Sequence, residues 1–184
     1  MLSVIIETKN HAEDLARTLA SLVPAAVEGV VRDVTVRDHG SSDETRKVCE
    51  QAGVRWLEIG DVAHAVKQTR SEWILLLAPG ARLMEGWIEP VAIQMQKQTM
   101  PARFTRSRAH RLSLFARIGR SRNVLAEGLL ISKRQALALA FRGEDRPRRL
   151  QRVVPLRGVR HSAHQFLAAP WRRSRVCGAS GKRR

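Results

Sequence analysis

Residues 73–87 read WILLLAPGARLMEGW. Large apolar residues, Trp73 to Leu77, run out into Ala78-Pro79-Gly80, the pattern of a buried strand entering a loop. In α/β proteins ligands collect beyond the carboxyl ends of parallel strands, so such a loop should border a site. It offers no carboxylate, hydroxyl or imidazole, and its first chemistry-bearing residue, Arg82, brings positive charge instead. Carboxylates stand elsewhere. Asp38 follows the alternating run VRDVTVR, and an acceptor at a strand end can read an N–H or a hydroxyl. The same residue can shape the turn to Gly40 as an Asx-turn. Glu144 and Asp145 sit within RGEDRPRR, among Arg142, Arg146, Arg148 and Arg149. Neighbouring cations keep such a carboxylate ionised and lower its basicity, and a plain exposed ion-pair cluster is one reading of the pair. His161 and His164 are three apart with no third ligand near, and they read, like His110, as surface residues. Cys49 and Cys177 form no CxxC or Cys/His pattern, so neither a disulfide framework nor a zinc site is indicated, and Cys49 reads as a small buried apolar residue.

These residues need elements to hold them. LSVIIE (2–7) reads as a buried strand. Asn10 then suits a helix N-cap, with Glu13 reaching back in a capping box, Leu15, Leu19 and Leu22 on one face, and Pro24 as the stop. VRDVTVR (31–37) alternates as a second strand, nearer a sheet edge than the first. In DHGSSDET, His39-Gly40 makes the turn, Ser41 or Ser42 caps the next helix, and Asp43 and Glu44 fall in its first turn, where the dipole favours acids. That helix runs to Gly53. VRWLEI (54–59) is a third strand, a helix follows over about 61–70, and 73–77 is the fourth strand. Strands alternating with short helices imply a parallel sheet with right-handed crossovers. Further on, 88–98 reads as a helix, 103–122 as a basic amphipathic helix lying on a surface, 127–132 as a strand and 133–141 as a short helix. Residues 178–184 read as disordered.

Composition narrows the classes. The 184 residues suffice for one medium domain with a real core, alone or with an appendage, and a hydrophobic content of 43% excludes wholesale disorder. Aromatics at 4%, with no Tyr, argue against an all-β sandwich or a base-stacking platform. The opening apolar run is too short for a signal peptide and no run approaches a membrane span, so a cytoplasmic location is expected, with peripheral contact at the inner face of the membrane. The net charge of +16 is unevenly placed. Residues 1–98 hold 11 Lys/Arg against 14 Asp/Glu, whereas 99–184 hold 22 against 3. That asymmetry points to anionic lipid, nucleic acid or a phosphorylated ligand. Arg interleaved with Phe and Leu over 103–118 fits interfacial membrane binding, while no helix-turn-helix, RNP or zinc-finger pattern supports nucleic acid.

Four segments, in order, carry a resemblance. SVIIETKNHAEDLARTLASL resembles the S-V-I-I-P-T-Y-N-E-x-x-x-L-x-x-T-L-x-S-L opening of family 2 glycosyltransferases. VRDHGSSDET resembles their V-V-D-x-G-S-x-D-G-T, and WILLLAPGARLMEGW the stretch around their metal-binding D-x-D, L-L-F-L-H-A-D-T-R-L, followed by P-G-W. AEGLLISKRQALALAFRGED is similar to the later G-D-Q-G segment that leads to an E-D pair. The likeness covers roughly 1–90 and, more loosely, 123–145. It implies a GT-A fold: a mostly parallel, nucleotide-binding α/β sheet with flanking helices, here followed by a basic C-terminal segment. It also implies sugar transfer from a nucleoside-diphosphate donor to a lipid-linked or polysaccharide acceptor.

By that resemblance Thr8 approaches the nucleotide, and it serves as readily as a local turn residue. Glu7 replaces the usual proline and Lys9 the usual aromatic. Asp38 matches the carboxylate that contacts uracil or ribose. Ser41, Ser42 and Asp43 match as helix caps more than as ligand contacts. Asp145 matches the general base. The two metal-binding aspartates fall at Ala78 and Gly80, neither of which can ligate through a side chain, so no metal cofactor is expected. Arg82 or Lys9 would then supply the positive charge; Glu72, Glu85 and Glu89 are the nearest alternative acids. The later Q-x-x-R-W signature is not evident, Ala169-Pro170-Trp171-Arg172 being too weak a substitute. The organisation expected is a nucleotide-sugar-binding half over 1–98, an acceptor-side half over 99–150, and a basic tail over 151–184. The function expected is sugar transfer to an envelope or lipid-linked acceptor, with activity weakened or lost. The competing reading is a non-catalytic basic module for anionic membrane or nucleic acid.

Overall fold

The computed structural model describes residues 1–58, 62–97, 100–104, 128–140 and 154–156. Its strands are β1 (Leu2–Thr8), β2 (Val31–Asp38), β3 (Arg55–Glu58), β4 (Trp73–Leu77), β5 (Ala102–Phe104), β6 (Leu129–Ser132) and β7 (Val154–Leu156). Its helices are α1 (Ala12–Val27), α2 (Thr45–Gln51), α3 (Val62–Gln68), α4 (Ile88–Lys97) and α5 (Lys133–Ala140). The strands form one sheet in the order β3-β2-β1-β4-β6-β5-β7. β1 is parallel to β2 and β4, β2 to β3, and β5 to β7; β6 runs antiparallel to both β4 and β5. The sheet is therefore mostly parallel, as the alternation of elements predicts.

β1 is apolar along nearly its whole length because both its faces are covered. Leu2, Val4 and Ile6 meet Leu15, Leu19 and Leu22 of α1, Cys49 of α2 and Val91 of α4. Ile5, one step out of phase, joins Ile74, Leu129 and Ile131 against Ala65 and Val66 of α3 and Ala136 of α5. The period-2 alternation of β1, β4 and β6 thus divides the core into two layers, one on each side of the sheet.

Several expectations are corrected in detail. Pro24 does not stop α1, which continues to Val27. Ala20 and Pro24 both lie on the exposed face, so the carbonyl that loses its amide partner faces away from the core. The N-cap position of α1 is His11, without a side-chain cap of its own, and α2 starts at Thr45 rather than over Asp43 and Glu44. Arg103 and Phe104 belong to β5, so no helix begins at 103. The rest of that basic segment, Glu144, Asp145 and the tail beyond 156 lie outside the described residues. Among the described residues no helix is long and apolar enough to cross a membrane.

Candidate functional site

The strand order reverses between β1 and β4: the chain lays down β1, β2 and β3 outward, then returns to place β4 on the other side of β1. Such a reversal is where open α/β sheets hold ligands. The loops after β1, β2 and β4 meet there around one cleft of about 730 Å³, lined by Asn10, His11, Ala12, Glu13, Asp14, Arg17, Asp43 and Arg82.

The β1 and β2 loops are stitched together. Asn10 has φ 56°, in the left-handed region that Asn enters more readily than most residues. So turned, its backbone N–H donates to Ser41 Oγ at 2.8 Å, and its side-chain Oδ1 accepts Ser42 N–H at 2.7 Å. The Ala12 N–H donates to Asp43 Oδ2 at 3.0 Å, and the His39 N–H to the Thr8 carbonyl at 2.9 Å. Asn10 therefore does not cap its own helix; Asp43 does so from the neighbouring loop. Burial raises the Asp43 pKa, but hydrogen bonds from the Thr45 hydroxyl and the backbone N–H groups of Ala12 and Thr45 outweigh it and hold the carboxyl below its ordinary value.

Thr8 and Asp38 lie beneath this clasp, 2% and 3% exposed, and neither lines the cleft. Asp38 Oδ1 accepts both the backbone N–H and the hydroxyl of Ser41. Oδ2 receives the Trp56 indole N–H at 3.4 Å, and the Arg46 guanidinium sits 4.9 Å above that indole. Asp38 thus holds its turn, and among the described residues only the long Trp56 contact meets its second oxygen. The Thr8 hydroxyl is buried without a hydrogen-bond partner among the described residues.

Glu7 pairs across the sheet with the buried guanidinium of Arg37, its register partner, and stands 3.8 Å from His39 Nε2. Burial alone would raise the Glu7 carboxyl, yet His39 and Arg37 bring it below its ordinary value. The departure from proline at position 7 is thereby matched by a partner on β2. Nothing local in the sequence couples the two; only the strand register does. Cys49 is fully buried, and burial, with the nearby Asp38 and Glu50 charges, pushes its thiol up to about 11, which leaves it unreactive.

The loop after β4 faces inward. Ala78, Pro79, Gly80 and Ala81 are all buried. The Gly80 N–H donates to Thr18 Oγ1 at 2.8 Å and to the Asp14 carbonyl at 3.1 Å, and the Leu83 N–H to Ser21 Oγ at 3.3 Å. Gly80 has φ 82°, a conformation that glycine adopts without steric cost. Arg82 is half-buried and lines the cleft, and among the described residues it makes no hydrogen bond or ion pair. Arg17, by contrast, is held by Glu13 and Asp14. Lys9 is exposed and outside the cleft lining. A hard divalent cation requires charged oxygen ligands. This loop has none, and among the described residues no three His, Cys, Asp or Glu side chains are grouped to hold a metal. Among the described residues, then, the side chains of this loop do not fit such an ion. Of the residues singled out from sequence, Arg82 reaches the cleft, Thr8 and Asp38 lie below it, and Asp145 is outside the described residues. Sequence reasoning missed His11, Asp14 and Arg17 as lining, although their place at the start of a helix after the first strand was available as a signal.

No protein-family model and no curated protein matches the chain. Solved structures do. Glucosyl-3-phosphoglycerate synthase from Mycobacterium tuberculosis, in complex with Mn2+, uridine diphosphate and phosphoglyceric acid, matches with a TM-score of 0.60 at 14% identity, over 90% of this chain and 71% of that one. The same enzyme with Mg2+ and uridine diphosphate gives 0.60 at 14%, over 90% and 72%. A mycobacterial protein gives 0.59 at 15%, over 92% and 69%. At such identities the likeness is one of architecture. The chain shares the α/β, GT-A-like fold of these structures.

Proposed function

We propose that this chain is a family 2 glycosyltransferase-like protein whose cleft takes a nucleoside-diphosphate sugar. Its sugar passes to an envelope or lipid-linked acceptor, with turnover weakened. The observation that carries this reading is the meeting of the β1, β2 and β4 loops around one cleft at the strand-order reversal. The ligands of the matched structures, uridine diphosphate and phosphoglyceric acid, are compatible with it.

The chemistry under this reading is a direct displacement with inversion. The acceptor oxygen bonds to the anomeric carbon, the bond to the diphosphate breaks, and the acceptor proton passes to Asp145 as general base. Thr8 and Asp38, buried beneath the cleft, would support its nucleoside end from below. Because Asp38 already supports its turn, its donor role requires Oδ2 to exchange Trp56 for the ligand.

Calorimetry with UDP and GDP tests the proposal, followed by donor-hydrolysis assays across several nucleotide sugars. Saturable binding of at least one nucleoside diphosphate is the expected result; no heat and no thermal shift with any of them, with or without divalent ion, refutes it. The second reading, a non-catalytic basic module, draws on the 22 Lys/Arg against 3 Asp/Glu in residues 99–184. Salt-sensitive liposome or DNA binding combined with indifference to nucleotides would favour it.

A further inference from the structure

We infer that the cleft holds the diphosphate of its ligand without a divalent metal, with the Arg82 guanidinium as the neutralising cation; this rests on the nucleotide reading above. The argument begins with what the loop after β4 cannot do. A diphosphate concentrates negative charge, and a site must supply either a cation or a set of aimed N–H groups. Residues 78–81 carry no ligating side chain. The amides of Gly80 and Leu83 are already spent on α1, through Thr18, Asp14 and Ser21, so they cannot form an anion-binding nest.

What remains is Arg82. It is half-buried on a loop anchored to α1 at Gly80 and Leu83, and it lines the same cleft as the start of α1. Its planar fork matches two phosphate oxygens at once, which a lysine cannot do. The other guanidinium of the lining is already paired, and the lining's carboxylates are engaged in ion pairs or hydrogen bonds. Arg17 answers Glu13 and Asp14, while Asp43 is bonded by Ala12 and Thr45. The amino end of the 16-residue α1 adds a partial positive charge on the same side. Arg82 is therefore the one guanidinium of the cleft lining that is not committed to a partner among the described residues.

The test is calorimetry on the full chain with UDP, GDP and uridine, in EDTA and in Mn2+, at low and raised NaCl. The inference expects the dissociation constant for the diphosphate to be the same within about twofold with and without metal, to rise with salt, and to be much larger for uridine. Arg82→Gln should weaken diphosphate binding about 10- to 100-fold, the range for loss of a charged hydrogen bond. Arg82→Lys should recover part of it, and Arg32→Gln, the same charge change on exposed surface, should leave it unaltered. Melting curves of each variant establish that it is folded. Binding that requires Mn2+ overturns the inference while leaving the nucleotide reading standing. So does an Arg82→Gln variant with unchanged affinity, or uridine binding as tightly as UDP. No binding of any nucleotide under any condition removes the nucleotide reading and this inference together.

Discussion

The carboxylate of Asp43 accepts the backbone N–H of Ala12 at 3.0 Å, across 31 positions of sequence. The first turn of α1 is thus capped by the loop of a different strand. That bond also closes one wall of the cleft, since both residues line it. Helix end, loop clasp and site wall are one construction.

Asp43→Ala should therefore cost about 1 kcal/mol of stability, the usual value of a lost helix cap, and Asp43→Asn should recover most of it. Urea denaturation at neutral pH measures both. The pH dependence has a definite sign. Asp43 titrates below its ordinary 3.8 in the folded chain, so its contribution is full above that value and disappears as pH falls through the lower, folded one. Asp43→Asn should remove that part of the acid-side slope.

Thr18 is buried beneath the β4 loop, its hydroxyl accepting the Gly80 N–H and donating to the Asp14 carbonyl at 3.0 Å. Thr18→Val keeps the shape and removes both bonds. It should lower stability by about 1–3 kcal/mol and loosen the 78–83 loop, whereas Thr18→Ser should stay close to the parent. Urea midpoints are the direct readout, since the Gly80 N–H keeps the Asp14 carbonyl: a Thr18→Val midpoint equal to the parent's would show that the hydroxyl bonds carry no weight.

Glu7 and Arg37 form a cross-strand ion pair in which the arginine side chain is 7% exposed and the glutamate 31%. Glu7→Gln should destabilise the chain by about 2 kcal/mol, less than the loss expected for a fully buried pair because Glu7 reaches solvent. Burial raises the Glu7 pKa, but His39 and Arg37 lower it further, leaving it under its ordinary 4.5. The pair's contribution is accordingly present above that value and fades as pH drops through the folded pKa. Thermal melts of parent and variant, well separated at pH 7, should draw together on acidification.

Gly128 immediately precedes β6 with φ 75°, and a Cβ there would stand 2.7 Å from Phe104 and 2.9 Å from Leu77. Neither ring nor leucine can move freely, since Phe104 also packs edge-on against Trp87 at 6.3 Å. Gly128→Ala should cost about 2–3 kcal/mol through overpacking and backbone strain together. Denaturant midpoints check this, and a change under about 0.5 kcal/mol would mean that Phe104 and Leu77 yield to the added methyl group.

The sequence by itself carried the architecture, because the signals for it are local. Period-2 runs, 3.6-residue apolar spacing and turn residues mark β1 through α4 in order, and β4 at 73–77 falls where its apolar run lies. The bareness of the loop after β4 was equally legible, since it is a matter of residue types. Tertiary structure alone decided which side chain serves which backbone group. Asn10 looks like a cap for its own helix, but a left-handed turn points it at Ser42, and Asp43 takes its place. Asp38 looks free to meet a ligand, yet Ser41 and Trp56 occupy it. Glu7 looks like an unexplained departure from proline until the register of β1 on β2 sets it beside Arg37. Such partners are distant along the chain, and no local pattern encodes a hydrogen bond that exists only after two loops have been brought together by the sheet beneath them.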